Sequence, residues 1–428
     1  MKRNKERLPE PLKVLSLFSG CGGMDLGFEG GFSVLRKSVN SKIHPDMRCE
    51  MIDKYWVRLP KTRFMTVFAN DISGAAKASW IPYFSDKNRD GSCFRHISIV
   101  DLVKAYQSGD KDVFPFADIV TGGFPCQDFS VAGKRKGFSS HKGHHGGLLT
   151  SGDEPTEENR GKLYMWMRRV IEIVKPKIFV AENVKGLVSL ADAKEIIRRD
   201  FSSIGNGGYL VVNAKVLFAP EYGVPQTRER VVFIGFRKSA LTKHALNGLS
   251  ENNLSESFNP YPIKTHGSER GEDLMPFVTV KDALVGLREP EISSDAAQRV
   301  YSKAKWYGRH CQGQSQIDLF GLGPTIRAEH HGNIEFRRLS KEHGGNYFEE
   351  LKAGLKERRL TVRECARIQA FPDDFEFVRS ASKLGSDYAL SSSDGYRLVG
   401  NAVPPLLAFH LAWRLQELWP RIFKKGVR

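Results

Sequence analysis

Short apolar runs alternate with amphipathic segments through the first half of the chain. The apolar runs end in glycine, acidic or other polar residues, and one intervening segment has helical spacing up to Pro176. Strands separated by helices predict an open, doubly wound α/β sheet, in which ligands bind at the carboxyl ends of the strands. The predicted strands are LKVLSLFSG, FMTVFAND, ADIVTGGFP, KIFVAENV and RVVFIGFR, and the predicted helix is LYMWMRRVIEIVKP.

Three stretches depart from this alternation. Ser41 to Thr66 has no clear period and predicts an insertion between the first two strands. The polar, glycine-rich stretch from Val131 to Gly161 predicts a surface loop that moves. From about Ser239 to Lys356 the alternation disappears and Gly, Ser, His and Arg dominate, which indicates a second, smaller domain.

Composition and charge suggest a class of partner. The 428 residues suffice for two domains, and 65 Lys and Arg against 49 Asp and Glu give a net charge of +16. This excess favours a polyanionic partner, nucleic acid before a membrane surface, although a basic solvated surface explains it equally well. Without an apolar run of membrane-spanning length or a secretion signal, we expect a cytoplasmic protein. Six cysteines without a C-x-x-C pair predict free thiols rather than a disulfide framework or a zinc site.

A glycine-rich turn, LFSGCGGMDLGF, follows the first predicted strand. It matches neither G-x-G-x-x-G nor a G-K-S/T loop, so a dinucleotide or phosphate site is not favoured. Asp71 ends the next strand, where a carboxylate could accept both hydroxyls of a ribose. A nucleoside without a pyrophosphate fits best, and S-adenosylmethionine is the commonest such cofactor. The alternative is a structural turn with a solvated Asp71.

Reactive side chains collect at the ends of other predicted strands. Cys126, Glu182, Arg228 and Arg230 all lie at strand ends or adjoining turns of one sheet. A thiolate that adds at carbon 6 of cytosine makes carbon 5 nucleophilic, and an acid can hold or protonate ring nitrogen 3. An arginine can donate to the oxygen at carbon 2. Each residue alone has a simpler explanation, as a buried cysteine, a cap or a solvated charge, but their joint order favours this chemistry.

At these residues the sequence resembles the DNA (cytosine-5)-methyltransferase family of the bacterial restriction-modification type. The resemblance covers nearly the whole chain, and the motifs follow the family's order. The motifs are LFSGCGGMDLGF, GGFPCQDFS, RGKLY, AENV, QTRERVVFIG, RRLTVRECARIQAFPDDF and YRLVGNAVPP.

The resemblance implies a Rossmann-like class I methyltransferase sheet with a smaller target-recognition domain. The enzyme would methylate carbon 5 of a cytosine flipped out of a specific short duplex site, with S-adenosylhomocysteine as the other product. The implied domains are a catalytic, cofactor-binding domain over residues 1–238, a target-recognition domain over 239–379, and a segment 380–428 that returns to the catalytic domain.

The resemblance also assigns roles to residues. Cys126 becomes the nucleophile, Glu182 the acid at nitrogen 3, and Asn183 a support for the Pro-Cys turn. Arg228 and Arg230 become contacts of the flipped base or its phosphate. The implied S-adenosylmethionine site consists of Phe18, Ser19, Gly20, Gly23, Asp71, Ile72, Pro125, Asn401 and Ala402.

The chain departs from the family at two cofactor positions. The ribose acid is usually Glu, whereas Asp71 is one methylene shorter. Where the family often has Asp-Ile, this chain has Ser98-Ile99, which leaves Asp101 as the candidate carboxylate for the adenine amino group.

Candidate DNA contacts fall in the loop after Cys126 and in the variable region. Loop cations near phosphates would help the loop close over the extruded base, and side chains of the variable region suit base edges or phosphates. Packing within the small domain is the alternative for each residue of the variable region. The candidates are Lys134, Arg135, Gln314, Arg327, His330, His331, Asn333 and Arg337.

The expected partners are double-stranded DNA and a cognate restriction endonuclease. We expect a monomer in the bacterial cytoplasm, associated with the nucleoid through DNA, with no membrane contact. We expect no metal, because His141, His144 and His145 lack further ligands at metal-binding spacing. An RNA cytosine-5 methyltransferase and a catalytically dead DNA-binding homologue stay open as alternatives. The large basic recognition region disfavours the first, and the intact Cys126 and Glu182 disfavour the second.

Overall fold

A computed structural model describes most of the chain, in eight stretches. These are residues 10–85, 91–125, 163–189, 193–250, 254–268, 273–328, 334–424 and 426. The predicted mobile loop from Val131 to Gly161 lies outside the described residues, so that expectation stays a prediction.

The described strands vary in length from two to nine residues. They are β1 (Leu12–Leu17), β2 (Ser33–Leu35), β3 (Glu50–Met51), β4 (Trp56–Arg58), β5 (Phe64–Asn70), β6 (Phe94–Arg95), β7 (Ile119–Gly123), β8 (Ile178–Val184), β9 (Tyr209–Val211), β10 (Lys215–Phe218), β11 (Glu229–Arg237), β12 (His266–Gly267), β13 (Met275–Pro276), β14 (Phe336–Arg338) and β15 (Arg358–Arg359).

The described helices vary in length from 4 to 18 residues. They are α1 (Gly23–Glu29), α2 (Gly74–Phe84), α3 (Ile99–Gln107), α4 (Leu163–Val174), α5 (Ala193–Ser202), α6 (Ile204–Gly207), α7 (Lys243–Ser250), α8 (Val280–Ala283), α9 (Ala296–Arg299), α10 (Phe348–Lys352), α11 (Val362–Ile368), α12 (Ala381–Leu384), α13 (Ser392–Asn401) and α14 (Pro405–Ile422).

One mixed sheet organises the molecule, in the strand order β10–β11–β8–β7–β1–β5–β6, with β9 paired to β11. The five strands from β8 to β6 are parallel, whereas β11 runs antiparallel to β8. After β1 the chain builds β5 and β6 on one side and β7 and β8 on the other. The carboxyl ends of β1 and β7 therefore flank a topological switch point, where doubly wound sheets bind ligands. The predicted α/β fold and its five strands are confirmed.

Helices cover both faces of this sheet because alternate strand residues point in opposite directions. On β8, Ile178 and Val180 join the apolar cluster that contains α1 and α14, and Phe179 and Ala181 join the cluster that contains α3 and α4. The first cluster continues through the later part of the chain to residues such as Leu360. The division at residues 238 and 379 therefore stays a prediction about function.

The two irregular regions have different structures. The predicted insertion contains β3 and β4, which form a three-stranded antiparallel sheet with β2. The later region contains only short elements, and α11 begins at a capping box between Thr361 and Glu364. The five described cysteines are free thiols. Among the described residues, no helix is both long and apolar enough to span a membrane.

Candidate active site

A buried carboxyl group lies near the carboxyl end of β8. Glu182 is 7% exposed, and its strand neighbours are Gly123 on β7 and Val232 on β11. Its Oε1 lies 2.8 Å from the Nε of Arg230. Burial raises the pKa of Glu182, while the charges of Arg230 and Arg228 oppose that shift. The site therefore offers a carboxyl group that can keep or donate a proton at a higher pH than an exposed glutamate.

The turn after β7 is built around this carboxyl group. A Cβ added at Gly123 would lie 2.8 Å from Oε2 of Glu182, so glycine leaves the room that the acid occupies. The side-chain amide of Asn183 donates to the carbonyl of Phe124 at 3.1 Å, just before Pro125. Cys126 follows directly in the sequence but lies outside the described residues. The described turn thus leads from the acid to the predicted nucleophile.

Arg228 is fully buried behind the acid and ties distant segments together. Its guanidinium donates to the carbonyls of Ile326 at 3.0 Å, Gly400 at 2.7 Å and Ala402 at 2.8 Å. The structure therefore gives Arg228 a positioning role, in place of the predicted contact with the flipped base or its phosphate. Of the two predicted arginines, Arg230 is the one beside the carboxyl group.

The glycine turn and Asp71 are joined at the ends of β1 and β5. Oδ2 of Asp71 accepts the backbone N–H of Gly20 at 2.9 Å, and Oδ1 accepts that of Ser73 at 2.8 Å. Ser19 and Asn70 exchange two further hydrogen bonds between the same strand ends. Burial raises the pKa of Asp71, and the two backbone hydrogen bonds oppose the shift. Asp71 therefore shapes the turn, and each carboxylate oxygen keeps a lone pair for another donor.

The turn leaves an accessible surface beside Asp71. Phe18 and Gly20 have positive φ angles of 52° and 56°, and no atom lies within 4 Å of a Cβ built on Gly20. The Ile72 side chain is 43% exposed next to it. An apolar face, open backbone and a carboxylate fit the adenosine part of S-adenosylmethionine.

The other predicted cofactor positions lie where the C-terminal segment returns. A Cβ at Gly23 would lie 2.3 Å from the carbonyl of Val403 and 3.2 Å from the Cβ of Ala402. Gly23 therefore serves the close packing of the turn against this segment. Asn401, at the end of α13, is exposed. At the adjoining strand end, Ser98 caps α3 and Asp101 lies in its first turn.

The candidate DNA contacts in the described part of the chain have three different environments. Gln314 is 2% exposed, and its Oε1 accepts the backbone N–H of Tyr307 at 2.9 Å. Arg337 is mostly buried and pairs with Glu350 at 2.9 Å. Both of these side chains are engaged by contacts within residues 239–379, which favours the packing alternative over the predicted DNA contact. Arg327 is 25% exposed and forms an ion pair with Glu335 at 3.1 Å.

The remaining DNA candidates lie outside the described residues, and their predicted contacts stay predictions. These are Lys134, Arg135, His330, His331 and Asn333. Within the described residues, no three His, Cys, Asp or Glu side chains cluster as metal ligands.

Sequence reasoning missed one junction residue. Gln226 is fully buried, its Oε1 accepts the backbone N–H of Ile326 at 3.1 Å, and its Nε2 contacts Gln369. It therefore joins the segment before β11 to the segments that carry Ile326 and Gln369. The signal was its place at the start of the QTRERV motif, directly before a buried strand.

Comparisons with known proteins agree with this geometry. The family profile for the C-5 cytosine-specific DNA methylase matches residues 12–417. The chain is similar to the Type II methyltransferase M.BspRI of Lysinibacillus sphaericus, with 32% identity over 93% of this chain and 80% of that protein. It is also similar to the Type II methyltransferase M.BsuRI of Bacillus subtilis, with 31% identity over 93% of this chain and 78% of that protein.

Solved structures share the fold at low sequence identity. The S. pombe Dnmt2 methyltransferase aligns with a TM-score of 0.53 and 17% identity, over 95% of this chain and 99% of that chain. The Entamoeba histolytica methyltransferase EhMeth aligns with a TM-score of 0.53 and 13% identity, over 96% of this chain and 99% of that chain. At these identities the likeness concerns the fold alone.

Proposed function

The chain belongs to the C-5 cytosine-specific DNA methylase family, and on this premise we propose that it methylates carbon 5 of a cytosine extruded from duplex DNA. The observation that carries the proposal is the buried Glu182–Arg230 pair, 2.8 Å apart, beside the turn that leads into Cys126. A buried acid of raised pKa next to a Pro-Cys turn suits pyrimidine chemistry and has no need to exist in a binding module.

In the proposed mechanism the thiolate of Cys126 adds to carbon 6 of the flipped cytosine. Glu182 holds or donates a proton at ring nitrogen 3, which limits the negative charge that builds up as the carbon–sulfur bond forms. Carbon 5 then takes the methyl group. A base from solvent takes the carbon 5 proton and the sulfur departs as the thiolate, which restores the aromatic ring. The proton at nitrogen 3 returns to Glu182.

Arg230 and Arg228 have different roles in this step. Arg230 fixes the Glu182 carboxyl group through its Nε and donates from Nη1 to the carbonyl of Glu229 at 2.8 Å. We assign its Nη2 to donate toward the base or its phosphate. Arg228 holds the segments carrying Ile326 and Ala402 against the sheet. We therefore assign contact with the substrate to Arg230 and a positioning role to Arg228.

S-adenosylmethionine, when bound, supplies an electrophilic methyl group at this edge of the sheet. Asp71 is the residue we assign to the ribose hydroxyls, and Ile72 to the face of the adenine. The open backbone at Gly20 admits the nucleoside without a Cβ clash. The remaining residues of the proposed S-adenosylmethionine site are Phe18, Ser19, Pro125, Asn401 and Ala402.

We propose that residues 239–379 choose the DNA site and that the chain acts as a monomer paired with a cognate restriction nuclease. The named relatives are Type II methyltransferases, which supports the pairing. Exchanging residues 239–356 for those of a relative should change the methylated sequence and keep methyl transfer. An unchanged site would refute the assignment of recognition to this region.

The proposed activity is tested by transfer of a labelled methyl group from S-adenosylmethionine. Unmethylated genomic DNA contains every short site, and bisulfite sequencing of the product locates the modified cytosines. We expect labelling of duplex DNA at carbon 5 within one short sequence and none of transfer RNA. Labelling of transfer RNA alone would favour the RNA alternative, and labelling of neither would favour the dead homologue.

The acid is tested with a matched pair of variants. Glu182→Gln should lower kcat by about 10²–10⁴-fold, because the amide cannot donate the proton. Glu229→Gln alters a more exposed carboxyl group on neighbouring β11, which pairs with Lys185 at 2.7 Å, and should change kcat little. Equal effects of the two substitutions would remove Glu182 from the mechanism.

A further inference from the structure

A concave basic surface lies at the end of the central sheet opposite the candidate active site. This basic cavity encloses about 1090 Å³ and is lined by the ends of α3 and α4, the α6 turn and the end of β11. Arg237 of the cavity and Arg230 of the active site are at opposite ends of β11. At about 3.3 Å per strand residue they are roughly 23 Å apart, so a ligand in one site leaves the other accessible.

Positive charge dominates the cavity. Its basic side chains are those of Arg168, Arg169, Lys175, Arg237 and Lys238. Among the described residues that line it, the acidic side chain is that of Glu172. Like charges gathered on a concave surface raise the local potential and attract anions.

The arginines are oriented by neutral acceptors. Arg168 donates to the carbonyl of Asp200 at 3.0 Å and to the hydroxyl of Ser203 at 3.2 Å. Arg237 donates to the carbonyl of Lys175 at 2.7 Å. These hydrogen bonds hold the guanidinium groups in place, and planar guanidinium groups match phosphate geometry. Lys175 and Lys238 are exposed at the rim.

The inner walls are partly apolar. Ile173, Ile204 and Tyr209 line the cavity together with Tyr106, whose ring is covered by the ammonium group of Lys111 at 4.1 Å. Tyr209 is buried and donates its hydroxyl to the carbonyl of Pro176 at 2.6 Å, so this wall is fixed. The cavity volume of about 1090 Å³ slightly exceeds the range of ordinary ligand sites, about 300–1,000 Å³, and its partly apolar lining and cationic rim suit a phosphorylated organic ligand.

We propose that the basic cavity binds the phosphate groups of a nucleotide or of a nucleic-acid strand, independently of the candidate active site. The five cations supply the phosphate contacts, and the apolar wall receives the base or sugar. Binding at the basic cavity does not require methyl transfer.

The main test compares three full-length proteins, which are the wild type, a cavity variant and a matched control. The cavity variant is Lys175→Glu/Lys238→Glu, and the matched control, Lys42→Glu/Lys61→Glu, makes the same charge change at exposed positions outside the cavity lining. Calorimetric titrations at low salt use two probes, dCTP and a short DNA duplex, and methyl transfer is measured in parallel. A Lys175→Ala/Lys238→Ala variant repeats the test without reversing charge.

We expect the cavity variant to bind dCTP about tenfold more weakly than the wild type and the control do. In the duplex titration, the wild type and the control should bind two equivalents of DNA, whereas the cavity variant should bind one. The salt dependence of that second binding step should correspond to about two phosphate contacts from the lysines. An effect with dCTP alone identifies a nucleotide as the ligand, and an effect with the duplex alone identifies the DNA backbone.

Equal affinity and stoichiometry for both probes in all three proteins would overturn the proposal. A loss of methyl transfer in the cavity variant alone would contradict the independence of the two sites. If the wild type transfers no methyl group, the proposed function fails, and the dCTP titration still decides the cavity.

Discussion

Replacing Gly123 with alanine tests whether the β7 turn and the acid form one unit. The added Cβ would lie 2.8 Å from Oε2 of Glu182, whereas ordinary contacts begin near 3.4 Å. The carboxyl group, or the turn that carries Cys126, must therefore move by about 0.6 Å, the difference between these distances. Arg230 holds the other carboxylate oxygen at 2.8 Å, so the carboxyl group cannot move without changing that pair.

A displacement of this size in a catalytic group lowers kcat by about 10- to 100-fold, or about 1.4–2.7 kcal/mol of transition-state stabilisation. The control is Gly122→Ala on the same strand, where the added Cβ would meet the flexible side chain of Met167 at 3.0 Å. That substitution should cost stability, about 1 kcal/mol, and leave kcat within about twofold. The assay is labelled methyl transfer at saturating substrates, with urea unfolding of both variants. Equal kcat values for the two variants would refute the reasoning.

Three further predictions concern the surrounding side chains. Arg228→Lys should lower the free energy of unfolding by about 2–5 kcal/mol in urea melts, because three buried carbonyls lose donors; wild-type stability would contradict its positioning role. Asp71→Asn should weaken S-adenosylmethionine binding in calorimetry by about tenfold or more, since one amide oxygen replaces two acceptors. Asp53→Asn, which alters a carboxylate that also accepts two backbone amides, should leave that affinity unchanged. Because burial raises the pKa of Glu182, its stabilising contribution is present below its ordinary value of 4.5 and is lost as pH rises through the folded value. As pH rises through this range, the wild type should therefore lose stability relative to Glu182→Gln. Urea unfolding at several pH values measures this difference, and the opposite trend would contradict the raised pKa.

The central sheet could be predicted because its strands carry local signals. Each of the five predicted strands is an apolar run that ends in a polar or glycine residue. Four of them, β1, β5, β7 and β8, are buried parallel strands whose carboxyl ends meet at one edge, whereas β11 runs antiparallel to β8. Asp71 and Glu182 were placed at that edge for the same reason. The small sheet of β2, β3 and β4 was not predicted, because strands of two or three residues have no readable period.

The roles of polar side chains at the domain junction could not be predicted. An arginine after a strand can face the cleft or the interior, and local sequence does not distinguish these directions. Arg228 points inward because carbonyls of Ile326 and Gly400, far away in sequence, converge on it. Gln314 is likewise buried, and its Oε1 accepts a hydrogen bond from Arg359, which is far away in sequence. Only the folded chain shows which polar groups satisfy each other.

The most direct test of the account is covalent trapping on fluorinated DNA. A duplex library with 5-fluorocytosine at every cytosine contains each short recognition sequence, and fluorine at carbon 5 blocks the step that releases the sulfur. With S-adenosylmethionine present, we expect a stable protein–DNA adduct whose peptide mass places the bond on Cys126, and no adduct with Cys126→Ser. Normal methyl transfer to ordinary DNA without any adduct on the fluorinated library, or an adduct at another residue, would contradict the account.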